Sequence, residues 1–84
     1  MIPIHELLNR IRWDEAYAQG DFVIGYYDRA EQKIIRVPLQ QIHFTPGDHF
    51  FFQVTDADGY AHEVPLHRVK EVTKDGELIW HREH

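Results

Sequence analysis

The chain has 84 residues, 43% of them apolar, a formal charge of −5 and no cysteine. That length holds one domain, residues 1–84, with a modest core, since so short a chain buries only about 60% of its unfolded surface. Disulfides are excluded, and 9 Lys and Arg against 14 Asp and Glu argue against broad, sequence-blind binding to nucleic acid. The first twelve residues are too short and too charged for a signal peptide or a membrane span, so a soluble cytoplasmic protein is expected. The charge leaves room for capture of one or two phosphates by a local basic cluster.

In chain order, residues 3–13 read as a helix. Ile4, Leu7, Leu8 and Ile11 recur at i, i+3, i+4 and i+7 and form one apolar stripe, and Pro3 suits the first helical turn. Trp13 and Asp14 end it, with Trp13 packing and Asp14 accepting a hydrogen bond. An alternative has Asp14 orienting Arg29 or Arg68. Residues 14–21 form a polar link with room for one more helical turn, closed by Gly20. Residues 22–27 are rich in β-branched and aromatic side chains and predict a strand. Gly25 within it predicts a bulge or a close backbone approach. A polar turn at 28–32 leads to a returning strand at 33–37. Pro38 ends that strand, having no N–H for the ladder, and 39–42 follow as a turn or single 3₁₀ turn. A short strand at 43–44, a turn at 45–48, a strand at 49–54 and a hairpin turn at 56–59 come next. Strands at 60–64, 69–73 and 77–80 complete the chain, the last two joined by Lys74-Asp75-Gly76, with 81–84 a frayed tail. The predicted architecture is α+β: an N-terminal helix packed on a strongly curved antiparallel sheet of about five to seven short strands, curled toward a half-closed barrel.

The chain echoes itself. Val37-Pro38-Leu39-Gln40-Gln41-Ile42 aligns with Val64-Pro65-Leu66-His67-Arg68-Val69, and each follows a hairpin that opens after an aspartate, Asp28 or Asp56. If the two shapes match, the fold does not require His-Arg where the first copy has Gln-Gln. An imidazole beside a guanidinium, presented at a turn, suits an oxyanion. Arg supplies a planar fork of donors and His a donor whose charge changes near neutrality. The plain alternative is two solvated residues beside a strand. A second polar cluster is Gly25-Tyr26-Tyr27-Asp28-Arg29. There a Tyr can stack on a base or bond a ribose, and Arg29 can pair with a phosphate. The plain alternative puts one Tyr in the core, Asp28 capping the turn and Arg29 in solvent.

Other chemistry finds little support. The seven histidines include no His-x₃-His or His-Glu-x-x-His pattern, so no metal is expected. There is no glycine-rich phosphate loop and no serine nucleophile elbow, and no cofactor is implied. Acid–base catalysis needs two positioned groups. His67 could be one, while His5, His43 and His62 all stay open as the other.

The ordered set Ile11-Arg12-Trp13-Asp14, Ile24-Gly25-Tyr26-Tyr27-Asp28-Arg29, Val64-Pro65-Leu66-His67-Arg68-Val69 and Leu78-Ile79-Trp80-x-Arg82 resembles the RNA cyclic group end recognition domain family. The resemblance covers nearly the whole chain. It implies recognition of RNA ends bearing a terminal phosphate, notably 2′,3′-cyclic phosphate, by a domain that occurs alone or fused to RNA ligase, phosphodiesterase and other RNA-repair modules. The residues it implies for that role are Tyr27, Asp28, Arg29, His67, Arg68 and Arg82. His81 departs from the pattern, standing where an acid is expected after the Trp. Three functions follow as expectations. The first is a non-catalytic module for phosphorylated or cyclic-phosphate RNA ends, partnered by RNA-repair enzymes. The second is a small phosphodiesterase or cyclic phosphatase using His67. The third is a protein-interaction module using a strand edge or the run Phe50-Phe51-Phe52, which cannot all face one side of a strand.

Overall fold

The computed structural model describes residues 2–45, 47, 50–56 and 58–82. Helix α1 (Ile4–Trp13) buries Ile4, Leu7, Leu8 and Ile11, the side that a 3.6-residue period aligns. Pro3 stands just outside the helix at its N-cap rather than in its first turn, and its carbonyl accepts the N–H of Glu6 and Leu7. Trp13 does not pack inward and is 76% exposed. Two residues past Ile11 lies roughly 200° around the helix from it, so Trp13 points away from the stripe, with the Arg12 guanidinium 5.3 Å from its ring. Asp14 accepts from the Tyr17 N–H at 3.1 Å, and Ala18 N–H bonds the Asp14 carbonyl at 2.9 Å. The link thus makes one further turn.

Seven strands follow: β1 (Phe22–Asp28), β2 (Lys33–Pro38), β3 (Ile42–His43), β4 (Phe51–Thr55), β5 (Ala61–Pro65), β6 (Val69–Lys74) and β7 (Glu77–His81). They form two antiparallel sheets, one ordered β2-β1-β6-β7 and the other β3-β4-β5. The class is α+β with one N-terminal helix, and no closed barrel forms among the described residues. One apolar cluster joins the parts. The helix stripe meets Phe22, Ile24 and Tyr26 of β1, Phe52 and Val54 of β4, Val69 and Val72 of β6, and Trp80 of β7. Of the three consecutive phenylalanines, Phe52 is buried, while Phe50 and Phe51 lie toward solvent. Strand β7 runs on to His81, and the Arg82 N–H bonds the Lys70 carbonyl at 2.9 Å. The sheet therefore reaches into the expected tail, whose residues 83–84 lie outside those described. The expected turn at 45–48 and the start of the strand at 49 fall partly outside them too.

The echo is structural. Pro38 and Pro65 have nearly the same backbone angles, φ −68° and ψ 150° against φ −64° and ψ 139°. Each enters a single 3₁₀ turn, Leu39–Gln41 or Leu66–Arg68, and each turn is closed by the next residue's N–H bonding the leucine carbonyl. Buried residues bracket both turns, Val37 and Ile42 in the first copy, Val64 and Val69 in the second. His67 and Arg68 thus occupy a shape that Gln40 and Gln41 also adopt.

Gly25 explains the break in β1. It pairs with Arg36 on one side and Glu71 on the other, and the ladder to β6 shifts between Gly25 and Tyr26. A Cβ there would lie 2.5 Å from Glu71 Cγ. With no side chain in the way, Arg36 Nη2 and Glu71 Oε1 meet at 2.7 Å across the central strand.

Candidate functional site

Tyr26 pairs with Val69 in the antiparallel ladder between β1 and β6. Continuing that direction carries Tyr27 and the following turn toward Arg68 and the second 3₁₀ turn. Two segments some forty residues apart are thereby brought to one place. Tyr27, Arg29, His67, Arg68 and Lys70 line a single open concavity of about 320 Å³. Lys70 was not among the residues picked out from sequence. Its signal is the pleat: Val69 is wholly buried, so Lys70 faces outward as its strand neighbour.

Charge gives this concavity its character. Among the described residues, Arg29, Arg68 and Lys70 make no ion pair, side-chain hydrogen bond or ring contact. Most of the other cations are engaged. Arg36 pairs with Glu71, Arg10 and Lys74 lie over Tyr17, Arg12 over Trp13 and Phe44, and Arg82 over Trp80. In a chain of net charge −5, these three cations, without an ion pair among the described residues, give one hollow a local positive character.

Two of the residues proposed from sequence stand apart from this hollow. Asp28 Oδ1 accepts the N–H groups of Ala30 at 2.8 Å and Glu31 at 3.2 Å. It caps its own turn and lines a neighbouring cleft of about 570 Å³. Arg82 lines a different hollow of about 480 Å³, shared with His67, His5 and Trp80. Its Nη2 reaches the Leu66 carbonyl at 3.4 Å, its guanidinium lies 4.9 Å from the Trp80 ring, and its Nε has no hydrogen-bond partner among the described residues. Asp14 bonds locally to Tyr17.

The 570 Å³ cleft has the opposite sign. Asp28, Glu31, Asp56 and Glu63 line it, with Arg68 as its cation and His62 beside them. Asp56 Oδ2 lies 2.6 Å from His62 Nε2. That bond first, then the N–H of Tyr60, holds the Asp56 carboxyl below its ordinary value. Tyr26 lines the same cleft, and burial, with the nearby charge of Asp28, pushes its phenol up. Among the described residues no group of three or more His, Asp or Glu side chains is placed to hold a metal ion. No helix of the described residues is long and apolar enough to cross a membrane.

The geometry is that of a small α+β domain with a cationic hollow at a 3₁₀ turn. The chain belongs to the MJ1316 RNA cyclic group end recognition domain family, whose model matches residues 1–82. It is similar to a UPF0248 protein of Methanococcus maripaludis strain C6, with 32% identity over 92% of this chain and 95% of that one. A second UPF0248 protein, from Methanococcus maripaludis strain S2, is 34% identical over the same shares of the two chains. No solved structure matches the chain significantly.

Proposed function

We propose that this protein is a non-catalytic module that binds RNA ends carrying a phosphate or a 2′,3′-cyclic phosphate, and that it serves RNA repair or processing enzymes. The observation that carries the reading is the hollow where Arg29, Arg68 and Lys70 converge beside Tyr27 and His67. The family's description supplies the ligand class. In this reading Arg68 and Arg29 hold phosphate oxygens by charge-assisted hydrogen bonds, and Lys70 adds a compact positive charge. His67 donates to a further oxygen, and Tyr27 stacks on or bonds the terminal nucleoside. Asp28 fixes the turn that presents Arg29. One hollow of this size beside an acidic cleft favours an end over a continuous strand, whose many phosphates need an extended basic track.

The test is an NMR chemical-shift titration with short oligonucleotides ending in cyclic phosphate, 3′-phosphate or 3′-hydroxyl. The phosphorylated ends should shift the amides of Tyr27, Arg29, His67, Arg68 and Lys70 at concentrations where the hydroxyl end does not. Equal responses to all three would refute the reading. Mass spectrometry of the same samples tests turnover: a cyclic phosphate opened by the protein would make it an enzyme.

A further inference from the structure

We propose that the strand leading up to the bound end leaves the basic hollow across His67 and seats its preceding nucleotide in the hollow formed by Ile2, His5, Trp80 and Arg82, so that the ligand is recognised as a dinucleotide or longer. This rests on the end-binding reading above and adds a direction and a second subsite to it.

Three concavities meet at the second 3₁₀ turn. His67 stands in the wall between the basic hollow and the one of about 480 Å³. Arg68 stands in the wall between the basic hollow and the cleft of about 570 Å³. These two neighbours are the concavities that a chain can enter from a phosphate held between His67 and Arg68. The cleft presents Asp28, Glu31, Asp56 and Glu63, and a phosphodiester entering it would meet like charges in a confined space. Among the described residues the other hollow has no carboxylate in its lining. Its walls are apolar at Ile2, Ile4 and Trp80 and cationic or titratable at His5, His67 and Arg82. Apolar walls take the face of a base, and a guanidinium and imidazoles take the phosphate beside it. Arg82 has capacity for this. Among the described residues its guanidinium makes one hydrogen bond, from Nη2 and long at 3.4 Å. The Trp80 indole N–H is fixed on the Ile2 carbonyl at 2.8 Å, which ties the chain start to β7 and shapes the hollow before any ligand arrives.

The experiment compares a nucleoside 2′,3′-cyclic monophosphate with a dinucleotide bearing the same cyclic end, by affinity and by NMR shifts of the full chain. The dinucleotide should bind about tenfold tighter or more, the value of one stacked base. It should also move the Ile2 and His5 amides and the Trp80 indole N–H, which the monophosphate leaves in place. In His5→Ala and in Arg82→Gln the ratio of the two affinities should shrink toward one. Taking a ratio within each variant removes any general loss of folding. Equal affinities in the wild type, or extra shifts at Asp56 and His62 in place of Ile2 and His5, would overturn the proposal. A monophosphate that binds with no gain for the dinucleotide sinks only this inference, whereas failure of both ligands to bind sinks the end-binding reading itself.

Discussion

Asp56 shows how a single half-buried side chain can organise a hairpin. Its Oδ1 accepts the N–H groups of Asp58 and Tyr60, each at 2.9 Å, and its Oδ2 pairs with His62. A carboxyl whose pKa is lowered by folding adds stability above its unfolded value, about 3.9, and that stability is lost as pH falls through the folded value. The effect is modest because the pair faces solvent. Asp56→Asn keeps an acceptor for the two N–H groups but cannot titrate. Its urea midpoint should therefore fall less steeply than the wild type's as pH drops from about 5 toward 2, and parallel curves would contradict the assignment. Gly25 gives a second prediction. Gly25→Ala should cost about 1–3 kcal/mol, because the new methyl meets Glu71 Cγ. The cost should shrink in a Glu71→Ala background, a coupling that a double-mutant cycle measures. A glycine inside a β-rich run announces such a site in sequence, as Gly25 did. The rank of Arg82 was not legible, because its distance from the basic hollow depends on where β7 pairs.

At the scale of elements, the helix stripe is the clearest case of sequence dictating structure, since a 3.6-residue period needs no knowledge of what the stripe meets. Leu8 is 4% exposed, and Leu8→Ala should cost about 2–5 kcal/mol in urea melts. A loss under about 1 kcal/mol would show that the helix is not seated on the core. The twin 3₁₀ turns were legible for a similar reason: proline, leucine and flanking β-branched residues recur in order. Their equivalence yields a sharper expectation. Replacing His67 and Arg68 together by Gln, the pair the first turn already carries, should change stability by no more than about 0.5 kcal/mol while removing RNA-end binding. A large loss of stability would make the pair structural. The division of the strands into two sheets was not legible. Alternation says that a segment is a strand but not which distant segment it pairs with, and β1 takes β6 as a neighbour across more than forty residues.

For the whole molecule, the distribution of charge decides between binding an end and binding a strand. The net charge of −5 disfavours an extended track for RNA, while one hollow gathers Arg29, Arg68 and Lys70, which make no ion pair among the described residues. Few phosphates should therefore be neutralised, and log K should fall with log salt at a slope of about −1.4, two phosphates at roughly −0.7 each on a single strand. A much steeper slope would mean a longer track. The central claim is that Arg68 and its neighbours read the phosphate at the end. It is tested most directly by equilibrium affinities for one short RNA ending in 2′,3′-cyclic phosphate and the same RNA ending in 3′-hydroxyl, measured with the wild type and with Arg68→Ala. The wild type should favour the cyclic end by about tenfold or more, the value of a charge-assisted hydrogen bond, and Arg68→Ala should lose most of that preference. Equal affinities in the wild type, or a preference intact in Arg68→Ala, would contradict it.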